Sequence, residues 1–248
     1  MVRLSLSVSL FHVSLEIAHT STLRYLSHQH DHCECRRLQC KVFVCVCLTF
    51  MHAHAQTLTY LDNSRAFRVL WLAYELGLQS KVQVKTYERI GGKKADAKMT
   101  SESGFSLGKS PFLVDDEGGE RVEVFESVAC MEYLLDRYGK EGHLLPSKSQ
   151  WAQRTKVQSY LSFCETLMLH SLAIVYAQWF TPDAETKNKD IVKTLEGSMK
   201  GNVQKDLNLL EGALKDAEQR YGEDKAYLAN GEFSVADIAN AFSCEYGE

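Results

Sequence analysis

From residue 57 onward the chain alternates apolar and polar positions in an order that can be read element by element. Residues 57–61 read as a strand. Phe67, Leu70, Trp71, Tyr74 and Leu78 then recur at steps of three and four, the spacing of one buried helix face. This predicts a helix over 65–77, with Asn63 or Ser64 as its cap and Gly77 near its end. Val82, Val84 and Thr86 alternate with polar residues and predict a second strand. Residues 91–109 are polar, contain Gly91, Gly92 and Gly108, and read as loop with at most one short helix. Strands at 112–115 and 121–125 flank Asp115-Asp116-Glu117-Gly118-Gly119, a hairpin turn. Val128, Met131, Leu134, Leu135 and Tyr138 share one face of a helix over 127–138, with Ser127 as the expected N-cap and Gly139 closing it.

Residues 140–148, with Gly142, Pro146 and Ser147, read as a linker, and everything after it is helical. Val157, Tyr160, Leu161, Cys164, Leu167, Met168, Leu172 and Val175 form the buried stripe of a long helix, core in character, that Pro182 ends. Val203, Leu207, Leu210 and Leu214 mark another helix over about 188–221. The last helix opens at Ser234-Val235-Ala236-Asp237. Ser234 caps it, Asp237 answers as a short capping-box acid, and Phe233 is placed to staple onto Ile238. The pattern is an α/β half followed by an all-α half.

A chain of 248 residues has room for one large or two small domains with a true core. A formal charge of −4 without a basic block argues against a nucleic-acid partner. No run of 18 apolar residues occurs, so no membrane-spanning helix is expected. Composition breaks near residue 55: the first 55 residues hold seven of nine His and five of eight Cys but only eight charged residues. Residues 1–56 are therefore set apart as an unstructured or non-native extension. His28, His30, His32, Cys33, Cys35 and Cys40 lack zinc-finger spacing, and no metal site is expected. Lys41 before Val42–Phe50 and Ala53-His54-Ala55 mimics a signal peptide but lies far inside the chain, and Arg3 before Leu4–Leu15 is a weaker candidate. The favoured reading is that translation begins at Met51. Cys130, Cys164 and Cys244 are odd in number and scattered, which suits a reducing cytosol better than a disulfide framework.

Three places carry candidate chemistry. Ser110 is held out of the helical region by the ring of Pro111, so Ser110-Pro111 is an extended or turn-like entry into a strand, and a cis bond would expose the Ser110 backbone to a ligand. Glu126 and Ser127 open a helix, whose free N–H groups and positive end suit a carboxylate while Glu126 suits an ammonium. Ser64 opens the first helix, where a hydroxyl donor beside free helix N–H groups suits an anion. Each also has a purely structural reading: a trans proline at a strand start, a capping serine beside an acid that favours the helix dipole, and a second capping serine.

Two segments carry a resemblance that favours the functional readings. Ser106-Leu107-Gly108-Lys109-Ser110-Pro111-Phe112-Leu113-Val114 with Val124-Phe125-Glu126-Ser127, and Tyr60-Leu61-Asp62-Asn63-Ser64-Arg65-Ala66-Phe67-Arg68-Val69-Leu70-Trp71-Leu72 upstream, resemble the glutathione transferases, most of all their fungal and bacterial branch. The resemblance covers about 57–248. It implies a thioredoxin-like α/β domain at 57–139, a linker at 140–148 and an all-helical domain at 149–248 that stops short of the family's usual C-terminal helix. It implies a cis Ser110-Pro111 bond, with the Ser110 backbone on the cysteinyl unit of glutathione. Glu126 and Ser127 would take the γ-glutamyl end and Lys109 the glycyl carboxylate. Ser64 would lie near the sulfur, with Tyr60 and Asn63 as alternatives, and Arg68 completes the Ser-x-x-x-Arg spacing of serine-type members. The implied reaction is addition of the glutathione thiolate to a small electrophile bound between the domains, near the Tyr160–Tyr176 helix. Glutathione is then a cosubstrate and no cofactor is needed. A free thiol has a pKa of about 8.5, so the site must lower it. Detoxification in the cytoplasm by a homodimer goes with that activity. A non-catalytic binding or assembly module on the same fold is the rival. A disulfide reductase would need a Cys at the first helix start, and none lies between Cys47 and Cys130.

Overall fold

The computed structural model describes residues 56–181, 183, 186 and 189–247; Met51, the His and Cys clusters and the signal-like stretches lie outside them. Strand β1 (Gln56–Leu61) leads into helix α1 (Ala66–Glu75), and β2 (Val82–Tyr87) returns parallel to β1. Strands β5 (Phe112–Asp115) and β6 (Val122–Phe125) form an antiparallel hairpin, with β5 antiparallel to β1. The sheet order is β2-β1-β5-β6. Interior strand β5 is buried at all four positions, which explains the apolar run Phe112-Leu113-Val114 that precedes Asp115. Helix α3 (Ser127–Tyr138) follows the hairpin. This is the thioredoxin-like order, begun at Gln56, one residue before its expected start.

Three local expectations need correction. In β2 only Val82 and Tyr87 are buried and Val84 is exposed, because β2 is an edge strand with one partner. The segment read as loop holds a small hairpin, β3 (Arg89–Ile90) with β4 (Lys94–Ala95), turned by Gly91 and Gly92 at φ 60° and 70°. Helix α2 (Ala97–Ser103) follows, its Lys98 N–H donating to the Asp96 carboxylate at 2.9 Å. Ser127 is not the cap of α3 but its first helical residue. Glu126 holds the cap position at φ 69°.

Among the described residues the helical half holds α4 (Trp151–Phe180), α5 (Asp190–Tyr221), a 3-10 turn (Glu223–Lys225) and α6 (Val235–Gly247). Helix α4 packs on both α5 and α6. Leu167 of α4 is buried with Val203 and Leu210 of α5, Leu228, and Cys244 of α6. Helix α4 is long and apolar enough to cross a membrane on length and composition, where none was expected from the absence of an unbroken apolar run. Its Val157, Leu161, Cys164, Leu167 and Met168 are buried in the core between helices. At the start of α6 half of the capping box forms as expected: the Ser234 N–H donates to Asp237 at 2.9 Å. The Ser234 hydroxyl also donates to Asp237, at 2.8 Å, and Leu228 N–H reaches its other oxygen at 2.8 Å. Burial outweighs those bonds and pushes the Asp237 carboxyl up. Phe233 packs on the rings of Trp71 and Tyr227, tying this corner to α1.

Candidate active site

A cleft of about 240 Å³ lies where the α/β half meets α4 and α6. One wall is Leu61, Asn63, Ser64 and Arg65 at the turn from β1 into α1, together with Gly108, Lys109 and Ser110 before β5. The opposite wall is apolar and aromatic: Met168, Leu172, Tyr176 and Trp179 of α4, and Phe242 of α6. Arg89 and Ala95 of the small hairpin close one side.

Ser64 and Ser110 meet in this cleft, their hydroxyl oxygens 3.3 Å apart. Ser110 Oγ donates to the Thr59 carbonyl at 2.9 Å and accepts from Leu61 N–H at 3.0 Å. Its single proton is thus committed to the sheet, so Ser64 is the donor in the pair. That bond is long for two hydroxyls, and its proton can turn to a better acceptor. Ser64 Oγ meanwhile accepts from Ala66 N–H at 3.3 Å, a side-chain turn that opens α1. Ser64 therefore both shapes the helix start and faces the cleft. The Ser110-Pro111 bond is cis. Pro111 is buried behind the wall, and Lys109 is exposed at the mouth.

Glu126 and Ser127 do not line the cleft. Glu126 is exposed at the start of α3, in the left-handed half of backbone space. Ser127 is buried, and its hydroxyl accepts from Arg68 Nη1 at 2.9 Å and reaches Glu165 of α4 at 3.2 Å. What it leaves for a ligand is the N–H array of the first helical turn. Arg68, expected on the ligand side, is fully buried. Its guanidinium is bonded to Ser127, to Glu165 and to Ser243 of α6 at 2.5 Å. Arg68 holds the site together from behind and cannot touch a ligand in the cleft.

Four residues of this region were not anticipated from the sequence: Arg65, Arg89, Glu165 and Ser243. Arg65 lines the cleft and pairs with Glu165 at 2.5 Å. Burial works to raise the Glu165 carboxyl, but the Arg68 and Arg65 guanidiniums together hold it below the usual carboxylate range. The partners lie about a hundred residues apart in the chain, so no local pattern announces them.

Beneath the sheet, Asp115 is buried and accepts from Tyr133 at 2.8 Å, from Tyr138, and from the Glu117 N–H at 2.8 Å. Burial would raise it, yet these bonds keep its carboxyl low. The cluster locks α3 against β5, and so fixes the helix start at Glu126. Cys130, Cys164 and Cys244 are free and buried. Burial pushes the Cys130 thiol up to about 12 and the Cys164 thiol up to about 11, so neither is a nucleophile at neutral pH. Among the described residues no three His, Cys, Asp or Glu side chains form a metal-ligand group.

A thioredoxin-like domain whose pre-proline segment and first helix start face a helical domain across a cleft is the two-domain architecture of glutathione-transferase structures. Residues 55–136 match the glutathione S-transferase N-terminal domain, so over that span the chain is similar to the glutathione S-transferases. It is 34% identical over 112 residues to glutathione S-transferase 3 of Schizosaccharomyces pombe, covering 45% of this chain and 42% of that one. It is 26% identical over 192 residues to glutathione S-transferase 1 of Saccharomyces cerevisiae, covering 74% and 76%. The chain thus spans less than half the length of the first of these relatives and about three quarters of the second. Among solved structures, a glutathione S-transferase of Actinobacillus pleuropneumoniae superposes with a TM-score of 0.60 at 23% identity, covering 77% of each chain. Ure2p in complex with glutathione superposes with a TM-score of 0.58 at 18% identity, covering 75% of this chain and 81% of that one. At these identities the structural likeness is one of fold.

Proposed function

We propose that the chain is a glutathione transferase that adds the thiolate of glutathione to small electrophiles. The observation that carries this reading is the Ser64–Ser110 pair: a donor hydroxyl at a helix start, held at the cleft wall beside the backbone of a pre-proline residue. In this reading the tripeptide lies along that wall. The Ser110 backbone takes the cysteinyl unit, Lys109 the glycyl carboxylate, and Glu126 with the first N–H groups of α3 the γ-glutamyl end. Pro111 keeps the strand entry extended, and Arg68 positions Ser127 and Glu165 without touching the ligand. Ser64 turns its proton from Ser110 to the sulfur and lowers the thiol pKa by electrostatic stabilisation, with no covalent step on the protein. The electrophile packs against Met168, Leu172, Tyr176, Trp179 and Phe242. Detoxification of such electrophiles by a cytoplasmic homodimer is the physiological role that goes with this chemistry, with glutathione as cosubstrate and no cofactor.

A second reading, a module that binds glutathione without turning it over, is favoured by one feature: Ser64 is 7% exposed and its proton already has an acceptor in Ser110. Capture on immobilised glutathione followed by a conjugation assay separates the two. Binding with turnover supports the transferase, binding without turnover supports the module, and absence of binding rejects both.

A further inference from the structure

We infer that the electrophile half of the cleft selects flat acceptors that carry a negative charge, and that Arg89 is the residue that selects them. This rests on the conjugation reading above. The argument begins with charge. Three cations line the cleft, Arg65, Arg89 and Lys109, and no Asp or Glu lines it among the described residues. Arg65 is already neutralised by Glu165. Glutathione brings two carboxylates and one ammonium. In the proposed pose the glycyl carboxylate meets Lys109, and the γ-glutamyl group is met at Glu126 and the start of α3, outside the cleft lining. Among the described residues Arg89 is left as a cation without an anion.

Its geometry suits it to a fixed recognition role. Nε donates to the Asp62 carbonyl at 2.9 Å, Nη1 to the Lys93 carbonyl at 3.0 Å and Nη2 to the Asn63 carbonyl at 3.0 Å. A guanidinium has five N–H donors in one plane, so two remain, one on each terminal nitrogen of the fork, available to a carboxylate. Three main-chain anchors hold that fork still, which removes the ordering cost of a free arginine. The same hairpin fixes the aromatic wall, because Lys93 Nζ donates to the Trp179 carbonyl at 3.0 Å. Trp179 in turn stands beside Tyr176, with ring centroids 6.2 Å apart. An apolar aromatic wall facing one anchored cation fits an aromatic ring with an acidic substituent better than a neutral ring.

The test compares 1-chloro-2,4-dinitrobenzene with 4-chloro-3,5-dinitrobenzoate, using the full chain. In both, the glutathione thiolate forms a C–S bond at the chlorinated carbon, the C–Cl bond breaks, and chloride leaves with the electron pair while the thiol proton passes to solvent. After division by the uncatalysed rates, kcat/KM is expected to favour the benzoate by about tenfold. In Arg89→Gln that ratio should fall to near one, while the KM for glutathione moves less than twofold. A ratio near one in the wild type, or a large rise in the glutathione KM of the variant, overturns the assignment; the latter would place Arg89 on the peptide. If neither acceptor is turned over, the conjugation reading fails, and the inference is then decided by calorimetry of the two glutathione–aryl conjugates on the wild-type chain. Tighter binding of the carboxylated conjugate supports it, and equal binding overturns it. That measurement also serves if the variant fails to fold.

Discussion

Nη2 of Arg68 donates to Oγ of Ser243 at 2.5 Å, joining α1 to α6 across 175 positions of chain. Ser243 passes the interaction on to the Cys164 carbonyl of α4 at 2.9 Å. Through Ser127 the same guanidinium also holds the first turn of α3. The starts of α1 and α3 are thus fixed to the helical half that supplies the opposite wall of the cleft. An arginine of this kind acts on the site through position alone.

Arg68→Met should therefore destabilise the chain while its ligand effect stays indirect. The substitution leaves Ser127 and Ser243 short of a donor and Glu165 with Arg65 as its remaining cation. Removing one member of a buried pair costs about 3 kcal/mol or more, and the half-exposed Glu165 puts this case at the lower end. Urea unfolding measures the loss. Arg68→Lys should recover only part of it, since an ammonium cannot reach Ser127, Glu165 and Ser243 in one plane. Full recovery by lysine would show that charge alone is needed.

Ser64→Ala should separate capping from chemistry. If the Ser64 proton stabilises the thiolate, the apparent pKa of bound glutathione rises and turnover falls by about 10²-fold. Glutathione affinity changes little, because one neutral hydrogen bond contributes about 1 kcal/mol. If Ser64 only receives the Ala66 N–H, stability falls by about 1 kcal/mol and the pH–rate profile keeps its shape. Melting and the pH dependence of conjugation, measured on the same variant, decide. An unshifted profile transfers the role to Tyr60, Asn63 or a backbone N–H of α1.

The fold was legible wherever one short segment determines its own partner surface. Helix α3 runs over 127–138 as its apolar face predicts, and β5 over 112–115. The β3–β4 hairpin was not legible, because two-residue strands are too short to show alternation, although Gly91-Gly92 is a hairpin signal. The cap of α3 was misplaced by one residue because glutamate at φ 69° is not what side-chain preference leads one to expect. Ser64, Lys109 and Ser110 were placed on the cleft by local motifs. Arg65, Arg89 and Glu165 were missed because their meaning lies in partners that only the tertiary structure supplies.

Glu126 gives a direct test of strain at this site. A non-glycine residue at φ 69° and ψ 130° costs about 1 kcal/mol or more, which the fold supports from elsewhere. Glu126→Gly should relieve that cost, so thermal stability should hold or rise by up to about 1 kcal/mol, the greater freedom of an unfolded glycine limiting the gain. Glutathione affinity should fall at the same time, by about 1–3 kcal/mol, as one charge-assisted hydrogen bond is lost. Glu126→Gln should lose the affinity without gaining the stability. A glycine variant that is both less stable and unchanged in affinity would mean that Glu126 serves only the helix end.

Acid should loosen the junction between the halves through Glu165. Its carboxyl titrates below its ordinary value of 4.5 in the folded chain, since the pull of Arg68 and Arg65 outweighs burial. A group depressed in this way contributes its full stabilisation above the unfolded value and loses it as the pH falls through the folded one. Asp115 is likewise held low and acts in the same direction, whereas Asp237 is raised and opposes them. Stability should therefore fall as the pH drops from about 5 toward 3. Glu165→Gln removes one of the titrating groups, so the variant should be less stable than the wild type at neutral pH and should lose less on acidification. Urea midpoints across that range give both slopes. Parallel slopes would show that the Arg65–Glu165–Arg68 cluster adds nothing to stability beyond what exposed ion pairs supply.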